Sequence, residues 1–265
     1  MVRFNPRRVD RGNHNTPILY DREIDDFAQE VLADYKPELL REPGAINFQH
    51  FLESYLEMRI DYKDIYSDDP DRPVLAMTAF NRGRIKLFDR ENECVKKITV
   101  PARTVVIDNA VMEPGRECLA LFSGMHEGGH IFMHWHVYTG ETFDGEVFDP
   151  DYMPDEELGS LVCCRRENIE SKGGAKRIRT AEEWREHHAD YFAAAITMPN
   201  ATFKAFVRGL LRENGYYKSA VTLGRDGDLD ILADDILPDA ISDTYGVSKR
   251  AARIKLRKTG FVLSH

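Results

Sequence analysis

The sequence predicts an α+β fold in which a small, mainly antiparallel sheet packs against surrounding helices. Three observations carry this expectation. Short segments rich in β-branched and aromatic residues cluster between Val74 and Asp108. Stretches with helical apolar spacing stand on both sides of them. The chain has 265 residues, 42% of them hydrophobic, which is enough to bury a sizeable core.

The elements follow in order. The first twenty residues read as an irregular arm, whose basic residues precede no apolar stretch and so make no secretory signal. In DREIDDFAQEVLADY, Ile24, Phe27, Val31 and Leu32 recur at helical spacing, and Pro37 ends the run. NFQHFLESYLEMRIDY starts as a helix, with Phe48, Phe51, Leu52, Tyr55 and Leu56 on one side, and runs into a strand from Arg59 to Tyr62. VLAMTAF, RIKLFD and ITVPARTVVID read as strands. NRG suits a hairpin turn between the first two, and Pro101 breaks the third. GRECLALFSGMHEGGHIFMHWHVY is a long helix, with Cys118, Leu119, Phe122, Met125 and Gly129 expected to face the protein. Residues 140–176 read as a long loop with one short helix near EELGSLVCC.

RTAEEWREHHADYFAAAITMP is the clearest helix: Thr180 and Glu183 have capping-box spacing and Pro199 marks the end. NATFKAFVRGLLRENG is another, with Asn200 as N-cap and Gly215 just past its end. Two short helices, ADDILPDAISDTY and SKRAARIKLRK, close the chain. This divides the molecule into an N-terminal helical region (1–72), a central core (73–214) and a C-terminal helical tail with helix-turn-helix-like spacing (215–265).

The net charge is −9 and the isoelectric point about 5.5, so no global positive field attracts nucleic acid or an anionic membrane. Apolar runs such as YFAAAITM fall far short of a membrane span. The four cysteines form no CxxC pair, which fits reduced thiols and a cytoplasmic location. Adjacent Cys163 and Cys164 lack a second pair at metal-binding spacing.

The chemistry concentrates in GMHEGGHIFMHWH, Gly124 to His136. His126 and His130 are four apart, hence about 40° apart around a helix and one turn along it. Both rings reach one ion, and zinc suits imidazole nitrogen. Glu127 stands beside the first ligand, placed to take a proton from water and pass it to a leaving group. A third ligand has several sources. His136 has the spacing of the metzincins, but Met133 stands where that pattern needs a glycine to leave the helix. His134 continues the His126–His130 track a turn further on and suits lining the cleft or a local hydrogen bond. His187 and His188 are further candidates. The preferred one is Glu186, four residues before Asp190 on the same face of a second helix. There the glutamate would complete the site, and the aspartate would accept from a ligand histidine's remote N–H. Ala189 and Ala193 on that side permit close helix approach.

HE-x-G-H at His126 to His130, E-x-x-A-D-x-F-A at Glu186 to Ala193, and then Met198-Pro199 together resemble the ImmA/IrrE family of metallopeptidases. VVID upstream and YGVSKRAARIKL near the end fit the same pattern, so the likeness extends over about Val74 to Leu256. Gly128 and the long stretch between the two motifs depart from it. The resemblance implies a minimal zincin-like core with His126, His130 and Glu186 as zinc ligands, Glu127 as catalytic base and Asp190 behind a ligand. It also implies cleavage of an intracellular protein, such as a helix-turn-helix repressor of a stress or mobile-element system. Tyr138, His134 and Tyr191 are candidates for stabilising the oxyanion.

Two competing readings stand beside it. One is a non-catalytic zinc-containing regulator that holds a repressor, toxin or antitoxin. The other is direct DNA contact through Ala240 to Leu256, disfavoured by the acidic chain.

Overall fold

In a computed structural model, residues 1–71, 73–148, 161–165, 178, 180–224 and 227–263 are described, with backbone alone at 161–165. In chain order the elements are β1 (Val9–Asp10), β2 (Thr16–Pro17), α1 (Asp21–Tyr35), and α2 (Phe48–His50), which continues as a π turn (Phe51–Tyr55). Next come β3 (Arg59–Lys63), β4 (Val74–Ala79), β5 (Gly83–Asp89), β6 (Cys94–Val100), β7 (Thr104–Asp108), α3 (Glu117–Thr139) and β8 (Leu161–Arg165). α4 (Ala181–Thr197), α5 (Asn200–Glu213) and β9 (Val221–Thr222) follow. α6 (Gly227–Ile231) then passes through a second π turn (Leu232–Ile236) into α7 (Leu237–Tyr245), before α8 (Lys249–Lys258) and β10 (Val262–Leu263).

The molecule mixes helices and small sheets, as an α+β chain should. The principal sheet has the order β3-β7-β4-β8. β4 is antiparallel to both neighbours, but β3 runs parallel to β7, from Arg59↔Thr104 to Lys63↔Asp108. The sheet is therefore mixed. β4 is its buried centre, and all six of its residues are buried. For that reason NRG does not close a hairpin. β4 is already flanked by β7 and β8, and β5 turns away to pair with β6 in a separate ribbon. The tight turn is at Asp89, whose carboxylate accepts from the Glu91 and Asn92 N–H groups at 3.1 and 3.3 Å. Pro101 separates β6 from β7 as expected. Leu161–Arg165 is a strand rather than part of a short helix, because β4 offers it an unpaired edge. The remainder of the 140–176 loop beyond 148 lies outside the described residues. The N-terminal arm holds the short antiparallel pair β1–β2.

α3 is buried all round from Ser123 through Tyr138, not on one stripe. The sheet lies on one side of it and α4 on another, while the ring of Phe51 reaches the position of Gly128. Gly140, in the left-handed region at φ 76°, ends the helix. One apolar cluster joins Ile24 and Val31 of α1, Phe51, Met125 and Ile131 of α3, Phe192 of α4 and Leu256 of α8. It therefore draws on all three stretches, 1–72, 73–214 and 215–265.

At α4, Thr180 accepts from the Glu183 N–H at 3.1 Å and Glu183 accepts from the Thr180 N–H at 3.2 Å, closing the capping box. At α5, Pro199 rather than Asn200 takes the N-cap position. In the last helices, Pro238 has no N–H to meet the Asp234 carbonyl four residues earlier. Arg253 of α8 supplies the donor instead, with Nε at 2.7 Å and Nη2 as well.

Candidate metal centre

Two helices build the site. α3 carries His126, Glu127 and His130, and α4 carries Glu186 and Asp190. Their approach depends on Gly129. A Cβ there would stand 2.9 Å from the Cα and 3.2 Å from the carbonyl oxygen of Ala189, both fixed backbone. Gly128 has a different neighbour: its missing Cβ leaves room for the Phe51 ring, 3.1 Å away. Each glycine costs about 1 kcal/mol relative to alanine in a helix. Close packing on two sides of one turn offsets that cost.

The approach brings His126, His130 and Glu186 together, with one ligand atom from each within 4.8 Å of the others. The Nε2 atoms of His126 and His130 are 3.0 Å apart, and the Glu186 carboxylate oxygens lie 3.5 and 3.3 Å from them. A tetrahedral ion with bonds of about 2.0–2.1 Å sets its ligand atoms about 3.3 Å apart. The three side chains fit that edge length, and two imidazoles with one carboxylate are a donor set zinc accepts. The group could hold a metal ion.

The surroundings are ordered around this point. His126 Nδ1 lies 2.8 Å from Asp190 Oδ1, as the four-residue spacing of Glu186 and Asp190 suggested. His126 and His130 are both fully buried, whereas Glu186 and Asp190 keep 21% and 30% of their side chains exposed, so solvent approaches from the α4 side. Burial works against a charged His126, but Asp190 and Glu186 outweigh it and raise its pKa well above the ordinary value. In His130 burial dominates and the pKa falls. Burial also opposes the Glu186 carboxylate, yet the two imidazoles hold its pKa far below the usual range. Glu127 is fully buried, and Thr78 Oγ1 on β4 donates to its Oε2 at 2.5 Å.

The other candidates fall elsewhere. His136 stays on the continuing helix, with Nε2 3.0 Å from the Asn15 carbonyl oxygen and its ring stacked on Phe148. The metzincin-like arrangement is therefore not formed. His187 pairs with Asp21 of α1 at 2.9 Å. His134 stands behind His130, the two Nδ1 atoms 3.0 Å apart, and its Nε2 lies 3.3 Å from Nδ1 of His188. Tyr138 is buried against Phe80 at 4.6 Å, and the Tyr191 hydroxyl donates to Asp25 at 3.0 Å.

Sequence reasoning missed Thr78, which carries no motif and meets Glu127 only through sheet packing. It also missed the contact between His134 and His188, 54 residues apart. The one signal for His134 was its place on the His126–His130 track.

No protein-family model matches the chain, and no curated protein sequence matches it either. Among the described residues, no helix is long and apolar enough to cross a membrane.

Proposed function

We propose that this chain is a zinc-dependent metallopeptidase with a zincin-like core that cleaves an intracellular protein. The observation carrying this reading is the convergence of His126 Nε2, His130 Nε2 and the Glu186 carboxylate, with Glu127 next to the first of them. His126, His130 and Glu186 hold the zinc, and among the described residues no fourth protein ligand joins them. Three protein ligands are the mark of a catalytic rather than a structural zinc site. Asp190 accepts from His126 Nδ1–H and so keeps Nε2 turned inward. When bound, the zinc supplies Lewis-acid polarisation of the scissile carbonyl. Glu127 takes a proton from the attacking water and returns it to the leaving amine. Thr78 fixes one oxygen of Glu127 and sets the direction of the carboxylate. The likeness to ImmA/IrrE metallopeptidases points to a helix-turn-helix repressor as substrate and to a cytoplasmic setting.

A second reading, a zinc-containing regulator without turnover, takes support from the full burial of His126, Glu127 and His130. One set of variants separates the two. Metal content is measured by elemental analysis, and cleavage by mass spectrometry of a proteome-derived peptide library. Glu127→Gln should keep its zinc and lose cleavage by about 10²–10⁴-fold, and Glu186→Ala should lose most of the metal. Full cleavage by Glu127→Gln would remove the mechanism. Stoichiometric zinc in a wild type that cleaves nothing would favour the regulator.

A further inference from the structure

Behind His130 lies a row of imidazoles that the proposed reaction does not use. His130 Nδ1 is 3.0 Å from His134 Nδ1, and His134 Nε2 is 3.3 Å from His188 Nδ1. All three residues are fully buried. The His134 and His188 rings stack with centroids 5.6 Å apart and planes 24° from parallel. The far atom, His188 Nε2, has no hydrogen-bond partner among the described residues.

We infer that His134 is a positioning residue for the metal centre: it accepts a hydrogen bond from His130 Nδ1–H, is itself held by His188, and so fixes the His130 ring with Nε2 toward the ion. This rests on the metal-binding reading of the site, and the direction of every bond then follows from valence. A neutral imidazole carries one N–H. If His130 Nε2 is a ligand, its proton sits on Nδ1 and must be donated. His134 Nδ1, the atom it faces, is then the bare acceptor, so the His134 proton is on Nε2. That proton goes to His188 Nδ1, and the His188 proton ends on Nε2. The opposite direction would put a proton on His130 Nε2, where it would block the ligand atom. The two ligand histidines are thus supported unlike each other. His126 is backed by a carboxylate, which makes it the more basic ligand. His130 is backed by a neutral ring, which orients it without adding charge to the interior.

The test uses the full-length protein, stripped of metal and titrated with zinc against a competing chelator. His134→Phe fills the site but accepts nothing, and should weaken zinc binding about 10–100-fold. His134→Asn, whose amide oxygen stands near the place of Nδ1, should return affinity to within a few-fold of wild type. His136→Phe alters an equally enclosed histidine of the same helix that touches no member of the row, and should leave zinc affinity unchanged. Independently of any variant, nitrogen NMR of the zinc-loaded wild type should show His134 and His188 with bare Nδ1 and protonated Nε2.

Wild-type affinity in a folded His134→Phe would overturn the inference, as would a proton on His134 Nδ1 in the zinc-loaded protein. Equal losses in His134→Phe and His136→Phe would overturn it in favour of general destabilisation. A wild type that binds no zinc would instead overturn the metal reading on which the inference stands.

Discussion

Asp190 shows how much one side chain decides at this centre. Its carboxylate lies 2.8 Å from His126 Nδ1 and, with Glu186, raises the pKa of a buried histidine that burial alone would lower. Asp190→Asn keeps an acceptor oxygen but removes the charge. His126 should become less basic and a weaker ligand, with zinc affinity falling about 10–100-fold in a chelator competition. An unchanged affinity would mean that Asp190 only fills space. Much at this scale was legible in the sequence, because ligand pairs four residues apart on a helix need no tertiary information. The same logic preferred Glu186 over His136, His187 and His188 but could not place any of them in space. Their positions relative to the ion depend on where α3 continues and where α4 lies. Met133 lets α3 run on to Thr139, which sends His136 to the Asn15 carbonyl instead.

At the scale of elements, the contact of α3 with α4 is the feature on which the centre depends. Gly129→Ala gains about 1 kcal/mol of helix propensity. It also drives a methyl group into the Ala189 backbone, and overpacking of this kind costs about 1–3 kcal/mol. Because backbone cannot rotate aside, the clash should win. Thermal unfolding should move to lower temperature and zinc affinity should fall as Glu186 is pushed away. Gly128→Ala meets only the edge of the Phe51 ring, which is free to shift, so its effect on zinc binding should be small. A Gly129→Ala protein with unchanged stability and metal affinity would show that the helices are not held this closely. That Gly129 faces the protein was foreseeable from its helical spacing with Phe122 and Met125. The reason for Gly128 was not, since Phe51 comes from a π turn more than seventy residues away in sequence.

Over the whole molecule, enclosed histidines should govern the response to acid. Burial lowers the pKa of His130 and His134, and lowers that of His136 to about 4 and that of His188 to about 3. In the unfolded chain each titrates near about 6.5. Below that pH the unfolded state takes up protons that the folded state refuses, so their contribution to stability is complete above about 6.5 and declines as pH falls toward 4. His126, with its raised pKa, has the opposite sign. Its contribution is complete below about 6.5 and declines only as pH rises through the folded value, so it does not offset the acid loss. The denaturant midpoint of the metal-free protein should therefore drop between pH 7 and 5. The slope is up to about 1.4 kcal/mol per pH unit for each histidine that stays neutral. A flat profile over that range would show that these rings are open to water.

Charge pairing at the same scale bears on DNA contact. On α8, Lys249 pairs with Asp239 at 2.7 Å, Arg253 with Asp235 at 3.4 Å and Arg257 with Asp234 at 3.5 Å. Lys255 is turned inward, and burial lowers its pKa to about 8. Three of the six basic residues of that run are thus paired with acids of the preceding helical stretch.

What the sequence by itself determined is local: the two histidines and the glutamate on one helix, the Glu186–Asp190 face on another, the capping box at Thr180 and the break at Pro101. These follow from periodicity and backbone chemistry within a few residues. Tertiary structure alone decided the rest. The parallel β3–β7 pair, the loss of the NRG hairpin, Thr78 under Glu127 and the row His130–His134–His188 all join residues far apart in the chain. Their meeting depends on which faces are buried against which. Hydrophobic burial is non-directional, so the pattern that buries α3 does not say which neighbour will cover each side. That choice is made by shape, where Gly129 and Ala189 allow two backbones to touch.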